Sequence, residues 1–281
     1  PYMVKIFFIL FLTFFLVSCS KDKPDESLAS KDTSLIVYQE ALDSMMEGDL
    51  VYASKKFSEV ELTLSDITIA SKAALLSAYC LYAVSFYTEA EESINHYINK
   101  YSADKNIPYA YYLSAVMSFE QILEEDKDIE PLILAEKKIL KFIDRYPNLD
   151  YTLDLKFKLG VVRNQLAAKE LYISKYYIKT KKWIPAINRL QSIVKNYDDT
   201  AYIEEALHRL VEIYYNIGLL EEAKAAASLL GYNYNSSEWY KKSYKILNKD
   251  YKTYDKKKEK KKKDGLIKKT IKKIIGWDGE E

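Results

Sequence analysis

The sequence has little glycine, proline, cysteine or histidine. Glycine and proline together account for 13 of 281 residues, whereas roughly 12% is usual for soluble proteins. So few turn-forming residues argue against an all-β sandwich or barrel and favour long, uninterrupted helices. Two cysteines exclude a disulfide framework, and two histidines without a cysteine cluster argue against a zinc site. The chain is instead rich in tyrosine, with 26 residues.

The N-terminal segment has the pattern of an export signal. Lys5 precedes an uncharged apolar run at residues 6–17. As a helix this run would span roughly 18 Å, too short for a hydrocarbon core of about 30 Å. We therefore predict that residues 1–18 form a signal peptide rather than a membrane anchor.

The four residues Leu-Val-Ser-Cys at 16–19 resemble the bacterial lipobox. The resemblance implies diacylglycerol on the Cys19 thiol, cleavage before Cys19 and acylation of the new amino terminus; no other cofactor is expected. Several acyl chains anchor a protein firmly, whereas one binds only marginally. Ser20 favours the outer membrane, because an aspartate at that position tends to retain lipoproteins at the inner membrane. The alternative is an ordinary secretory signal that happens to contain a cysteine.

Charge is segregated along the chain. Residues 241–281 contain 16 lysines and 7 acidic residues, whereas residues 19–240 contain 25 basic and 34 acidic residues. Residues 19–33 are polar and are predicted to be a flexible tether. We therefore divide the mature chain into this tether, an acidic body at 34–240 and a basic tail at 241–281.

Apolar residues in the body follow helical spacing, and short helices come in pairs. The second helix of each pair has an alanine followed by apolar residues four and seven positions later. Glycines at 48 and 218 stand five residues before their alanines. The five sets are Ala53, Phe57 and Val60; Ala90, Ile94 and Tyr97; Ala135, Ile139 and Phe142; Ala186, Leu190 and Ile193; and Ala223, Ala227 and Leu230.

This pattern resembles the tetratricopeptide repeat, in which the alanine lets two helix backbones approach and a larger residue fills the gap to the next repeat. Tyrosines suit such an array, because each buries its ring while its hydroxyl reaches solvent or backbone. We predict an all-α, tetratricopeptide-like superhelix of about five repeats, with an unusually long helix at about 152–180. A four-helix bundle or an irregular helical domain is the alternative.

Several stretches also carry a family resemblance. Residues 107–112 (IPYAYY), 143–148 (IDRYPN) and above all 183–189 (WIPAINR) resemble the BamD (ComL) family of outer-membrane assembly lipoproteins. Asp198 departs from the family, which usually has proline there. The resemblance implies a scaffold, not an enzyme, at the periplasmic face of the outer membrane within the β-barrel assembly machine. It also implies contact with the POTRA domains of BamA, with accessory Bam lipoproteins in some bacteria, and with unfolded outer-membrane proteins.

Two groups of residues are candidates for these contacts. For the BamA-binding face we predict Trp183, Asn188 and Arg189, with Tyr176 and Tyr177 nearby, because arginine can pair bidentately with an acidic surface. Alternatively, Trp183 packs in the array and Arg189 pairs with a neighbouring carboxylate. A groove for an extended, aromatic-rich substrate peptide would use five tyrosines whose alternative role is inter-repeat core: Tyr79, Tyr82, Tyr109, Tyr111 and Tyr112.

The basic tail contains the pattern of an amphipathic helix. We predict a membrane-surface helix in which apolar residues occupy one face and lysines mainly the other. The alternatives are packing onto an acidic partner or the protein's own acidic body, and a disordered tail. Lysine runs also bind nucleic acid, but an exported protein does not meet it. The residues assigned to the membrane surface are Ile267, Lys268, Ile271, Lys272, Ile274 and Trp277.

The sequence contains no glycine-rich phosphate loop, nucleophile elbow or zinc-protease motif. A repeat-bearing cell-wall lyase is the enzymatic alternative, but the repeats leave no room for a catalytic domain. A second non-enzymatic alternative is a pilotin for secretin subunits or a coordinator of envelope constriction. We predict that His96 pairs with Glu92 on the surface, that His208 faces solvent, and that Cys80 is a buried apolar residue.

Overall fold

A computed structural model describes residues 26–124 and 129–248, and within them it has eleven α-helices and no strand. The helices are α1 (Glu26–Glu47), α2 (Leu50–Thr63), α3 (Ile67–Ala83), α4 (Tyr87–Lys100), α5 (Ile107–Glu124), α6 (Glu130–Arg145), α7 (Tyr151–Lys179), α8 (Trp183–Asn196), α9 (Ile203–Asn216), α10 (Leu220–Tyr234) and α11 (Glu238–Leu247).

The chain divides into two compact units, with the boundary after Leu159. In the first unit each helix packs against the next along the chain from α1 to α6. In the second unit α8 packs on α9, α9 on α10, and α11 covers both α9 and α10. The successive helix pairs confirm the predicted all-α, tetratricopeptide-like repeat fold. The predicted long helix is α7, at Tyr151–Lys179.

The repeat alanines are buried between the packed helices. All five have no exposed surface, and the apolar residues four and seven positions after each are also buried. Only a methyl group fits where two backbones approach closely, and a larger side chain would force the helices apart at a cost of about 1–3 kcal/mol. The alanines are Ala53, Ala90, Ala135, Ala186 and Ala223.

Four turns between paired helices contain a residue in the left-handed backbone region. Gly48 and Gly218 have φ of 90° and 85°, and Ser85 and Lys181 have φ of 61° and 57°. Each stands five residues before the buried alanine of its repeat. Glycine adopts this conformation without strain, whereas serine and lysine do so at a cost.

Some predicted segments lie outside the described residues. They are the signal peptide at 1–18, Cys19, and the tail from residue 249, including every residue of the predicted membrane-surface helix. The predicted tether at 19–33 is partly wrong, because α1 begins at Glu26. Backbone hydrogen bonding continues α1 two turns beyond the point at which the apolar pattern begins.

The surroundings of three titratable groups confirm one prediction and correct two. Cys80 is fully buried, and burial raises the pKa of its thiol to about 11. His208 does not face solvent: it is 3% exposed, because α11 covers that face of α9. His96 is exposed, as expected, but its Nε2 lies 2.8 Å from an oxygen of Glu61 on α2 rather than pairing with Glu92.

Candidate functional site

A band of tyrosine rings runs across the first unit. Tyr79, Tyr82 and Tyr87 follow one another at centroid distances of 6.1 and 6.4 Å. Tyr109 and Tyr112 lie 6.2 Å apart on α5, and Tyr112 stacks on Tyr151 at 4.5 Å. The two groups adjoin, since Tyr79 acts electrostatically on Tyr109 and Tyr112 on Tyr82. We call these six residues, on α3, α4, α5 and α7, the tyrosine band.

Two carboxylates hold hydroxyl groups of the tyrosine band. Tyr82 donates to Oε1 of Glu120 at 2.8 Å, and Tyr87 donates to Oε2 at 3.4 Å. Tyr112 donates to Oδ2 of Asp154 at 3.0 Å. Burial and the hydrogen bond to Asp154 raise the pKa of Tyr112 to about 12, and burial and Glu120 likewise raise the pKa of Tyr82. These phenols therefore stay neutral.

The structure brings four of the five predicted groove tyrosines together, but not Tyr111. Arg145 donates to the Tyr111 hydroxyl at 3.0 Å, and its guanidinium lies 4.9 Å from the ring centre. The Tyr146 ring joins this cluster, with its centre 6.2 Å from that of Tyr111. All five predicted tyrosines are only partly buried, so each contributes to the core and also presents surface.

A recess in the second unit lies between α7 and α8. Arg189 donates from Nη1 to both oxygens of Glu170, at 3.0 and 3.3 Å. Glu170 is buried, whereas 43% of the Arg189 side chain is exposed. The predicted residues Tyr177, Asn188 and Arg189 therefore share one recess, which Glu170, Pro185 and Ser192 complete.

The remaining predicted residues of this face differ in exposure. Trp183 is partly buried against the core of the second unit, as the packing alternative holds. Tyr176 is 58% exposed and meets the Tyr177 ring edge-on at 5.7 Å. Tyr172, one turn earlier on α7, is also exposed. Arg189 has an internal carboxylate partner, as the alternative holds, and its side chain is also accessible.

Sequence reasoning missed several members of these sites. Tyr87 and Tyr151 belong to the tyrosine band, Glu120 and Asp154 accept hydrogen bonds from it, and Glu170 belongs to the recess. Each lies on a different helix from the site residue that it contacts, so no local sequence spacing indicates the contact. In the described part of the chain no cluster of three or more His, Cys, Asp or Glu could hold a metal. None of the helices described is long and apolar enough to cross a bilayer.

Known proteins resemble this chain over most of its length. The outer membrane protein assembly factor BamD of Rickettsia prowazekii is 32% identical over 239 residues, covering 85% of this chain and 94% of its own. BamD of Caulobacter vibrioides is 33% identical over 213 residues, covering 76% and 70%. A solved structure of Pseudomonas aeruginosa pilF covers 76% of this chain at 12% identity, but its TM-score of 0.32 supports no conclusion.

The family profile described as YfiO, outer membrane lipoprotein, matches residues 30–229, which include the tyrosine band and the recess. Both relatives named above are assembly factors of outer membrane proteins. The chain therefore belongs to the YfiO family of outer membrane lipoproteins.

Proposed function

We propose that the protein is a non-catalytic scaffold of the outer-membrane β-barrel assembly machine, anchored at the periplasmic face by acyl chains on Cys19. The lipobox-like residues at 16–19 and the family membership support the anchor. A scaffold of this kind acts by holding polypeptides, and a stack of helix pairs offers wide surfaces for that task.

In this proposal the recess of the second unit binds the POTRA domains of BamA. The observation that supports this assignment is that Arg189 is held by one internal carboxylate while its side chain stays accessible. Among the described residues only Glu170 engages it, through Nη1. The Nε and Nη2 donors are then available to an acidic partner beside Asn188. A guanidinium already held in place loses less side-chain freedom on binding than a mobile one.

Exposed aromatic residues beside the recess supply apolar contact area. Tyr176 is 58% exposed and meets the ring of Tyr177, which lines the recess, edge-on at 5.7 Å. Tyrosine and arginine are enriched among residues that dominate binding energy at protein interfaces. The combination fits a partner surface with a carboxylate surrounded by apolar groups.

Binding of purified POTRA domains to Arg189→Ala and Asn188→Ala variants tests this assignment. We expect Arg189→Ala to weaken binding at least tenfold, because truncating one member of a close charge pair costs about 2–5 kcal/mol. Lys224→Ala is the matched control, since Lys224 is an exposed lysine on α10 paired with Glu221. Melting temperatures identify any loss that comes from an unpaired Glu170. Unchanged affinity in both recess variants would refute the assignment, and recovery of a secretin instead of BamA from solubilised membranes would favour a pilotin.

We further propose that the tyrosine band receives the aromatic C-terminal strand of unfolded barrel proteins. The support is a row of partly exposed rings that can accept alternate side chains of an extended peptide. A fluorescent peptide ending in such a strand should bind more weakly to Tyr79→Ala and Tyr109→Ala than to wild type. Tyr232→Ala is the control, because Tyr232 is an exposed tyrosine on α10. Equal affinity in all variants would refute this role.

The tail from residue 249 lies outside the described residues, and we propose that its lysines bind anionic lipid. Each lysine near such a surface contributes about 1 kcal/mol, screened by salt. Deleting residues 255–281 from the non-lipidated protein should weaken its binding to phosphatidylglycerol vesicles. Equal binding of the full and shortened chains would exclude this role.

A further inference from the structure

One end of the first helix pair exposes three large aliphatic side chains. Ile36, Leu62 and Ile67 are 69%, 80% and 70% exposed. Leu62 lies in the last turn of α2, and Ile67 is the first residue of α3. Ser34 donates to the Thr63 hydroxyl at 3.1 Å, which brings Ile36 on α1 to the same end. We call Ile36, Leu62 and Ile67 the apolar rim.

The turn between α2 and α3, which carries Leu62 and Ile67 of the apolar rim, contains little charge. Residues 62–68 contain a single charged side chain, Asp66, although charged residues make up 30% of the chain. The Asp66 carboxylate caps α3 by accepting from the backbone N–H of Thr68 and Ile69 at 3.0 and 3.4 Å. Glu61 is engaged by His96 and Lys100 on α4, at 2.8 and 2.9 Å. Within this turn the exposed side chains are therefore aliphatic or carry hydroxyl groups.

The apolar rim lies at the end of the first helix pair from which the N-terminal segment leads to Cys19. From Ser34, α1 continues to Glu26, about 12 Å at the helical rise. Six residues then separate Glu26 from Cys19, a connection of at most about 25 Å when fully extended. The rim is therefore confined to within about 40 Å of Cys19. A short tether gives a high effective concentration, so that a weak contact becomes occupied.

We propose that the apolar rim is a membrane-contacting surface that rests on the phospholipid leaflet anchoring Cys19, with α1 inclined to that surface. This inference rests on the proposed lipid anchor. A lipid surface fits the rim better than a folded partner would, because aliphatic and hydroxyl groups suit the headgroup boundary and ask for no complementary charge. The contact would orient the first unit on the membrane, which a flexible anchor alone cannot do.

Depth measurement at a single labelled position tests the proposal. The mature chain carries an N-terminal hexahistidine tag in place of Cys19 and is bound to phosphatidylcholine vesicles containing a nickel-chelating lipid. An environment-sensitive dye is attached at Leu62→Cys in a Cys80→Ala background. Met46→Cys is the matched control, because Met46 is 78% exposed at the opposite end of α1. Neutral phosphatidylcholine keeps the basic tail from contributing.

We expect a blue shift of the dye and its quenching by spin-labelled lipid at position 62 but not at position 46. Adding Ile36→Ser and Ile67→Ser should abolish the quenching at 62. Equal quenching at both positions, or none at 62, would overturn the proposal. A blue shift at 62 without vesicles would overturn it as well, since another protein copy would then cover the rim. Flotation of the natively processed chain tests acylation of Cys19 separately, because the tag supplies the tether in either case.

Discussion

The Ser243 hydroxyl lies 2.8 Å from Nδ1 of His208, and both residues are buried where α11 covers α9. The other ring nitrogen of His208 lies 3.4 Å from Glu212, and the Trp239 ring lies 5.1 Å away. One polar pair and one aromatic contact thus fasten the last described helix to the second unit. Since Glu212 also binds Arg209 at 2.8 Å, the fastening is part of a larger ionic cluster.

Replacing Ser243 by alanine should loosen α11. The change leaves Nδ1 of His208 buried without its partner, which costs about 1–3 kcal/mol. We expect a lower urea midpoint and faster amide exchange in α11. Ser228→Ala is the control, because Ser228 is an exposed serine on the neighbouring helix α10; it should change stability by less than about 0.5 kcal/mol. Equal stability of the two variants would show that the hydrogen bond contributes nothing.

The left-handed turn residues predict opposite effects of two substitutions. Gly48→Ala should destabilise the first unit by about 1–2 kcal/mol. The cost is purely one of backbone conformation, since an added Cβ would meet nothing within 4 Å. Ser85→Gly should stabilise it by roughly 0.5–1 kcal/mol, because relief of strain exceeds the added entropy of the unfolded chain. Thermal unfolding measures both, and a shift of the same sign in both variants would contradict the explanation.

Glu61 predicts a pH-dependent contribution to stability. Burial alone would raise the pKa of Glu61, but hydrogen bonds from Lys100, His96 and Tyr101 outweigh it and hold the pKa below its ordinary value. Because the folded pKa is depressed, the stabilisation is present above the unfolded value of about 4.3 and is lost as pH falls through the folded pKa. Glu61→Gln should therefore be less stable than wild type at pH 7.

Denaturant midpoints measured from pH 7 down to pH 3 test the Glu61 prediction. The gap between wild type and Glu61→Gln should narrow steadily below about pH 4.3. Glu59→Gln is the control, since Glu59 is an exposed residue of the same helix paired with Lys56 at 3.2 Å. A gap that stays constant with pH would mean that Glu61 stabilises by packing rather than by charge.

Cys80 should resist alkylation until the first unit opens. With a pKa of about 11 and no exposed surface, its reactive thiolate is scarce and inaccessible at pH 8. Iodoacetamide should label a chain in which Cys19 is replaced by serine only in urea, at a rate that follows the unfolded fraction. Rapid labelling in native buffer would contradict the burial of this thiol.

The fold was accessible from sequence because its determinants are local and periodic. The alanine spacing identified Ala90 and Ala186 as crossing points although their turns contain Ser85 and Lys181 rather than glycine. The start of α1 could not be predicted from the sequence, because residues 26–33 lack apolar periodicity and their polar composition gives no sign of a helix.

The site was accessible only in part. Local motifs around Trp183 and Arg189 identified part of the recess, since Tyr177, Asn188 and Arg189 lie close together in sequence. Glu170 and the two carboxylates that bind the tyrosine band each contact a residue on another helix. Only the packed structure shows these contacts. His208 was misassigned for the same reason: an amphipathic pattern describes one helix and does not reveal that a later helix covers its polar face.

The hydroxyls of Tyr82 and Tyr112 have a consequence for whatever molecule lies across the tyrosine band. Each is already engaged by a carboxylate of its own chain, so an incoming chain meets ring carbon there instead of an available donor. Which chains bind at these two positions then depends on the shape and hydrophobicity of the incoming chain rather than on its polar groups. Such a surface suits clients that share a pattern of aromatic residues but differ in every other respect.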